Sequence, residues 1–300
     1  PLLRCRSTCQ MAKHSSRHMQ RDMMKICGAC KRQLPDDSYS VGQRGLRQSM
    51  RRCLECVSTG NQLELMMRGR VRAEEDTCPV CELPLPVTME ETTLQPCCMK
   101  RVCIGCSLES RKCGINNCPF CRTDIPNNES LVISMVQKRV AVSDPTAMCF
   151  LGIQHEVGGF GLEKDTGRAM EMCRRAARLG SKDAHHILGE LYGREDGVGG
   201  GRAMALQHYE EAAKHGHVIA RYRLGVLEYN DGQWHTALQH FLISAKLGDT
   251  DSLSNVKRLL VEGIATKDDY AGALQGYKAA VEEMTSPSRD EAKNMKMKQI

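Results

Sequence analysis

Closely spaced cysteines dominate the first part of the chain, and their spacing indicates metal chemistry. Of the 17 cysteines, 15 lie at or before Cys121. Two thiolates separated by two residues sit on one tight turn and converge on a single ion, and zinc takes four such ligands in a closed tetrahedral site. No histidine occurs between His18 and His155. Zinc in this stretch must therefore be bound by cysteine alone, unless an acidic side chain substitutes.

The composition favours a soluble intracellular protein, cytoplasmic or nuclear, with no membrane partner. No apolar stretch approaches the roughly 20 residues that a membrane span needs, and residues 1–26 lack the apolar core of a signal peptide. Cysteines in a reducing compartment rarely form disulfides, which favours metal binding. The net charge is +6, and residues 1–60 carry 12 Lys and Arg against 4 Asp and Glu. This local excess would suit an acidic partner such as nucleic acid.

Residues 78–122 contain four cysteine pairs, in the segments "CPVC", "QPCC", "CIGC" and "CPFC". The pattern resembles the RING finger family, in which two zinc ions are held in a cross-brace. In that arrangement the first and third pairs bind one ion, and the second and fourth pairs bind the other. The resemblance therefore implies one zinc on Cys78, Cys81, Cys103 and Cys106 and another on Cys97, Cys98, Cys118 and Cys121.

The second pair departs from the common RING pattern. A common RING finger has Cys-x-His there, but the histidine position holds Lys100, whose ammonium has no lone pair for a metal. An eight-cysteine RING variant places its fourth ligand five residues before the fifth, which matches Cys98. Cys97 would then be the third ligand, although the variant spaces these two ligands by one residue, and Cys113 is the alternative. Another double-zinc module, such as a PHD-like finger, is the alternative to a RING-like fold.

RING fingers form no covalent intermediate, so the resemblance implies no covalent catalytic residue. It implies a module that holds a ubiquitin-charged conjugating enzyme in the geometry for transfer. Val80 and Pro119 match groove residues that contact the conjugating enzyme, and Arg122 matches the basic residue that bridges this enzyme and ubiquitin. Many RING fingers carry a tryptophan after the sixth ligand, and we expect Leu108 to form that groove wall instead.

A separate four-cysteine module precedes these pairs. Its C-x2-C pairs stand 22 residues apart, which is zinc-finger spacing, and it resembles small treble-clef or ribbon fingers of the Stc type. We expect one zinc here, which makes three Zn²⁺ per chain, on Cys27, Cys30, Cys53 and Cys56. Basic residues nearby could contact phosphates, although Tyr39 alone could stack on a base: Arg44, Arg47, Arg51 and Arg52.

The last part of the chain repeats itself. Leu-Gly recurs at 151–152, 188–189 and 224–225, at a spacing typical of helical repeats. The segments resemble Sel-one-like repeats, relatives of the tetratricopeptide repeat, which implies stacked helix–turn–helix units. We expect Gly180, Gly216 and Gly248 to end the second helices in the left-handed conformation. Such a solenoid presents a surface for a protein substrate or adaptor.

The predicted fold class is small zinc-stapled α+β modules followed by an all-α helical-repeat solenoid. The boundaries are a basic disordered tail at 1–25, the four-cysteine finger at 26–57, a linker helix at 58–77, the RING finger at 78–125, a linker at 126–143, about four repeats at 144–284 and a tail at 285–300.

Three functional hypotheses follow. The first is a RING-type ubiquitin–protein ligase whose solenoid captures a protein partner. The second is a non-catalytic zinc-binding scaffold for protein interactions. The third is a nucleic-acid-associated protein that uses the basic four-cysteine finger.

Overall fold

The computed structural model describes residues 24–194 and 201–297, so nearly all of the predicted tail at 1–25 lies outside the described residues. The chain divides into two compact units, the first ending at Arg68 and the second beginning at Gly69. In the described part of the chain, no helix is both long and apolar enough to cross a membrane.

The first unit is a small hairpin with three short helices. Strand β1 (Met24–Ile26) pairs antiparallel with β2 (Gln33–Pro35), and the helices are α1 (Val41–Arg44), α2 (Leu54–Ser58) and α3 (Glu64–Met67). Its core contains one aromatic ring, Tyr39, which packs with buried cysteines. So little apolar surface stabilises a fold only weakly, which is why small domains of this kind depend on metals or disulfides.

Segment 58–77 differs from the expected linker helix. After Ser58, the last residue of α2, only the four residues of α3 are α-helical, and Glu74–Asp76 forms a single 3-10 turn. Gly60 and Gly69 adopt positive φ angles of 72° and 63°, which a right-handed helix cannot accommodate. The helical periodicity of this segment therefore corresponds only to the short helix α3, in which Leu65 is buried.

The second unit begins with a cysteine-rich module. Strand β3 (Thr92–Leu94) pairs antiparallel with β4 (Arg101–Cys103), and β4 leads directly into helix α4 (Ile104–Lys112). Leu85 and Val102 form its buried apolar centre together with cysteine side chains.

The predicted linker at 126–143 contains a helix, α5 (Glu129–Ala141). The Asn128 side chain caps it by accepting from the N–H of Leu131 at 2.8 Å. Ile133 and Val136 are buried against the first repeat. This apolar face makes α5 part of the solenoid rather than a free connection.

Four helix pairs follow: α6 (Pro145–Val157) with α7 (Thr166–Arg178), α8 (Lys182–Gly193) with α9 (Gly201–Lys214), α10 (Val218–Asn230) with α11 (Trp234–Lys246), and α12 (Thr250–Val261) with α13 (Lys267–Glu283). Side-chain caps begin most of them, as when Asp144 accepts from the N–H of Thr146 and Ala147. Gly180, Gly216 and Gly248 have φ angles of 88°, 80° and 97°, which confirms the expected left-handed ends.

The recurring Leu-Gly pair has a packing cause. A Cβ added at Gly189 would lie 2.5 Å from the ring of Tyr209, and one added at Gly225 would lie 2.5 Å from the ring of Phe241. In these two repeats the glycine of the first helix thus packs against an aromatic side chain of the second, whereas a Cβ added at Gly152 would lie 2.7 Å from the Cys173 sulfur. The two helices could not approach so closely with any larger residue.

The predicted tail at 285–300 contains a helix, α14 (Pro287–Met297), which packs against α4 of the cysteine-rich module. Its sequence is strongly polar, but Arg289 and Ala292 are buried. The polar composition predicts a tail because, among the described side chains of α14, only these two are buried.

The cysteine-rich module also contacts the turns between repeats. Lys182, at the start of α8, is buried and its Nζ lies 2.7 and 2.8 Å from the carboxylate oxygens of Asp76. Beside it, Arg101 pairs with Asp183 at 3.4 Å. Because a buried ammonium needs a close anionic partner, Lys182 fixes the module on the repeats.

Candidate metal centres

Cysteine sulfur atoms converge at three places, each with four Sγ atoms within 4.8 Å of one another. We name these cluster N, cluster A and cluster B. Cluster N contains Cys27, Cys30, Cys53 and Cys56; cluster A contains Cys78, Cys81, Cys103 and Cys106; cluster B contains Cys97, Cys98, Cys118 and Cys121. The pairs of clusters A and B alternate along the chain, first with third and second with fourth.

The sulfur spacing fits a tetrahedral metal. Zinc–sulfur bonds of about 2.3 Å place tetrahedral sulfurs about 3.8 Å apart. The Sγ–Sγ distances are 4.0 Å for Cys30–Cys53, 3.9 Å for Cys81–Cys103 and 3.7 Å for Cys98–Cys118. These distances are far longer than a disulfide bond, and all the described cysteines are free. Each cluster could hold one metal ion, and the donor set suits zinc.

A repeated backbone turn presents half of these thiols. In Cys27–Lys31, Cys78–Glu82 and Cys118–Arg122 the N–H of the fifth residue donates to the first carbonyl at 2.9, 2.8 and 2.9 Å. That fifth residue has a φ near +60° in every case. We call this turn a knuckle, and it points both sulfurs to one side.

Helix starts supply the opposing thiols of clusters N and A. Cys53 is the N-cap of α2 and Cys103 is the N-cap of α4, with the second cysteine three residues on in each helix. The N–H of Cys53 donates to the Cys27 sulfur at 3.4 Å, and the N–H of Cys103 donates to the Cys78 sulfur at 3.5 Å. The positive end of a helix and such donors both favour thiolates.

Cluster B uses two knuckles, and one of them is shifted. The N–H of Met99 donates to the Gln95 carbonyl at 2.7 Å, and Met99 has a φ of 57°. Gln95 thus occupies the place that a first cysteine has elsewhere, and Cys97 supplies the missing sulfur, 3.2 Å from that of Cys121. Comparing "QPCC" with "CPVC" and "CPFC" would have revealed this register, a signal that our sequence analysis missed.

The structure places the two candidates for the third ligand differently. Cys97 lies in cluster B, whereas Cys113 is exposed at the end of α4 and lies outside all three clusters.

Nearby donors favour the thiolate form of two cysteines, the partly buried Cys30 and the exposed Cys121. Burial alone would raise the pKa of Cys30, but the Arg32 guanidinium, whose Nε is 3.3 Å from the sulfur, outweighs it, and the pKa falls to about 6. Hydrogen bonding with the Thr123 hydroxyl, 3.2 Å away, lowers the pKa of Cys121 to about 6. Both shifts favour the thiolate, which is the form that binds metal.

A shallow groove lies between the knuckles of clusters A and B. Val80 from one knuckle and Pro119 from the other line it, together with Ile115 and Ile125. Contrary to our expectation, Leu108 does not line the groove. Ser107, Ser110 and Arg111 are the residues of α4 that line it. Leu108 lies on a different face of that helix.

Arg122 is exposed and directly follows the last cysteine of cluster B. Its φ of 59° is part of the knuckle. The turn that orients the two thiols therefore also sets the direction in which the Arg122 side chain leaves the backbone.

The basic residues of the first unit bond to the unit itself. Arg44 donates to the Tyr39 carbonyl at 3.0 Å, Arg51 to the Gln43 carbonyl at 3.3 Å and Arg52 to the Asn61 carbonyl at 3.3 Å. Arg47 donates to the Ser49 hydroxyl at 3.2 Å. These arginines hold loops together around cluster N, which weakens the case for phosphate binding.

The Sel1 repeat family matches residues 145–181, 182–217 and 218–249. Residues 145–249 are Sel1 repeats. The matched boundaries coincide with three helix pairs, while the pair α12–α13 lies beyond them. No curated protein matches this chain.

Several solved structures are similar. A Sel1 repeat protein from Oxalobacter formigenes is 22% identical over 62% of this chain and 74% of its own, with a TM-score of 0.46. A protective antigen of uropathogenic Escherichia coli strains, which displays an SLR fold, is 16% identical over 62% of this chain and 38% of its own, with a TM-score of 0.45. An immunity protein from Pseudomonas aeruginosa is 16% identical over 65% and 85%, with a TM-score of 0.32.

Proposed function

We propose that residues 78–125 form a RING-type module that binds two zinc ions and positions a ubiquitin-charged conjugating enzyme. The observation that carries the proposal is the groove in which Val80 and Pro119 meet. These residues come from knuckles of different clusters, so only the interleaved folding of both clusters brings them together. Cluster N would hold a third, structural zinc.

The groove offers what a protein partner could bury. The side chains of Val80, Ile115 and Ile125 are 47%, 41% and 49% exposed, which is unusual for three neighbouring apolar residues in a small module and marks an interaction site. Arg122 adds a planar cation whose five N–H donors could bridge carbonyl groups of two proteins. No group here is a nucleophile for substrate; the gain in rate would come from orientation.

The Sel1 repeats would supply the partner to be modified. Stacked helical repeats present extended surfaces for binding proteins. The buried pair of Lys182 with Asp76 ties the module to the repeats within one compact unit. A protein bound to the repeats would therefore stand at a defined distance from the groove.

Autoubiquitination with a panel of conjugating enzymes tests this function. We expect Val80→Ala and Arg122→Ala each to lower the rate about tenfold, which corresponds to about 1.4 kcal/mol of lost binding. The matched controls are Val261→Ala, at a valine that is 84% exposed, and Arg168→Ala, at an arginine whose side chain is 70% exposed. Both controls should retain the wild-type rate.

Two results would count against the ligase function. Equal activity of the groove variants and their controls would mean that transfer does not use this groove. Zinc binding without transfer by any conjugating enzyme would leave the non-catalytic scaffold as the better hypothesis.

A further inference from the structure

A guanidinium is buried beside cluster A. Arg289, from the C-terminal helix α14, is 1% exposed. It donates to the carbonyl oxygens of Met284 at 2.5 Å and Pro84 at 2.7 Å, and it lies 3.4 Å from both the Leu83 carbonyl and the Cys81 sulfur. The C-terminal helix thus inserts a buried cation into the knuckle of cluster A.

No carboxylate in the described ranges 24–194 and 201–297 forms an ion pair with the Arg289 cation. Arg72, a partly buried arginine of the same region, donates to the Leu85 carbonyl. Its charge opposes that of Arg289, while Asp76 and Glu283 lie near enough to offset part of it. A buried guanidinium stays charged, and an uncompensated charge of this kind is strongly destabilising.

Cluster A can supply the missing negative charge. Four thiolates around one divalent ion carry a net charge of about −2. The guanidinium of Arg289 touches one of those sulfurs, so the loaded cluster and the arginine would compensate each other. The metal holds that charge beside the cation, because four sulfurs so close together cannot all stay ionised without an ion between them.

The other polar contacts of α14 are weaker. Lys112 pairs with Glu291 at 2.6 Å and Lys293 pairs with Glu91 at 2.8 Å, but all four side chains are 28% to 44% exposed, and exposed pairs contribute little to stability. Close backbone packing adds to the contact, since a Cβ at Gly105 would lie 2.7 Å from the Arg289 nitrogen.

We propose that Arg289 is the counter-cation of metal-loaded cluster A and couples metal binding there to docking of the C-terminal helix. The inference rests on the proposed zinc binding by cluster A. Because coupling between two events is reciprocal, loss of the arginine weakens metal binding, and loss of the metal loosens α14. Cluster A would thereby sense whether the C-terminal helix is in place.

Metal competition on the full chain tests the coupling. Arg289→Met keeps the length of the side chain and removes its charge. Cadmium substitution with NMR detection, titrated with a chelator, follows each cluster separately. We expect the affinity of cluster A to fall 10- to 100-fold, the usual effect of losing a hydrogen bond to a ligand, while cluster B is unchanged. Arg289→Lys should restore part of the affinity, and Lys112→Met should match the wild type.

A second measurement uses the wild-type chain alone, so it holds if Arg289→Met does not fold. Hydrogen exchange of the α14 amides should accelerate in step with metal loss from cluster A and not with metal loss from cluster B. Equal affinity of cluster A in Arg289→Met and wild type would overturn the proposal, as would an α14 still protected after cluster A is emptied. A wild-type cluster A that binds no metal at all would refute the zinc site itself.

Discussion

The backbone around Gln95 follows the same path as the backbone around Cys78 and Cys118, with a carbonyl that accepts from the fifth residue and a left-handed fifth residue. Gln95 is 5% exposed, so it fills the place of a cysteine without being a ligand. Cys97, which lies one residue before the usual second ligand of a knuckle, supplies the sulfur that Gln95 lacks. Two adjacent cysteines thus serve one ion because the knuckle has lost its first cysteine.

This register predicts that Cys97, and not Cys113, is needed for metal at cluster B. We expect Cys97→Ser to lower the metal content of the chain by one ion, because three thiolates and a hydroxyl bind zinc far more weakly than four thiolates. Cys113→Ser is the control and should retain full metal content. Metal analysis after dialysis against a weak chelator measures both.

Restoring the regular knuckle should repair the damage. With Gln95→Cys added to Cys97→Ser, the sulfur returns to the first position, and we expect metal binding to recover. If Cys113→Ser lost the ion and Cys97→Ser kept it, the assignment of cluster B would be wrong.

At the scale of elements, the glycines of the Leu-Gly pairs set the distance between the helices of a repeat. We predict that Gly225→Ala destabilises the chain, because the Cβ would meet Phe241, whose ring is fully buried. Overpacking of this kind costs about 1–3 kcal/mol. This exceeds the gain of about 1 kcal/mol in helix propensity on replacing glycine.

Gly272→Ala is the matched control, since it also lies within a helix but a Cβ there meets nothing within 4 Å. We expect it to raise the free energy of unfolding by about 0.5–1 kcal/mol. Denaturant unfolding followed by circular dichroism compares the two variants. A Gly225→Ala variant as stable as Gly272→Ala would show that close helix approach is not what this glycine provides.

The sequence predicted those elements whose pattern is local. The Leu-Gly spacing and the glycines at the helix ends indicate the repeat helices, and the C-x-x-C spacing indicates the cysteine pairs. Helix α14 was not predicted, because its polar sequence carries only a few buried positions. The segment of helix α5 reads as a linker because turn residues precede Glu129, and only two of its side chains, Ile133 and Val136, are buried.

At the scale of the whole molecule, long-range partners were beyond the reach of the sequence. Lys182 meets Asp76 across 106 positions, and Arg289 meets Cys81 across 208. Nothing in the spacing of charged residues distinguishes a buried lysine or arginine from the many solvated ones. These contacts join the cysteine-rich module, the Sel1 repeats and the C-terminal helix in one compact unit.

The central claim is that three sets of four cysteines fold around metal ions, two of them interleaved. The most direct test is the metal content of the purified chain combined with X-ray absorption at the zinc edge. We predict three zinc ions per chain, each surrounded by four sulfur atoms at about 2.3 Å. One zinc or fewer per chain, or a coordination shell rich in nitrogen or oxygen, would contradict the account.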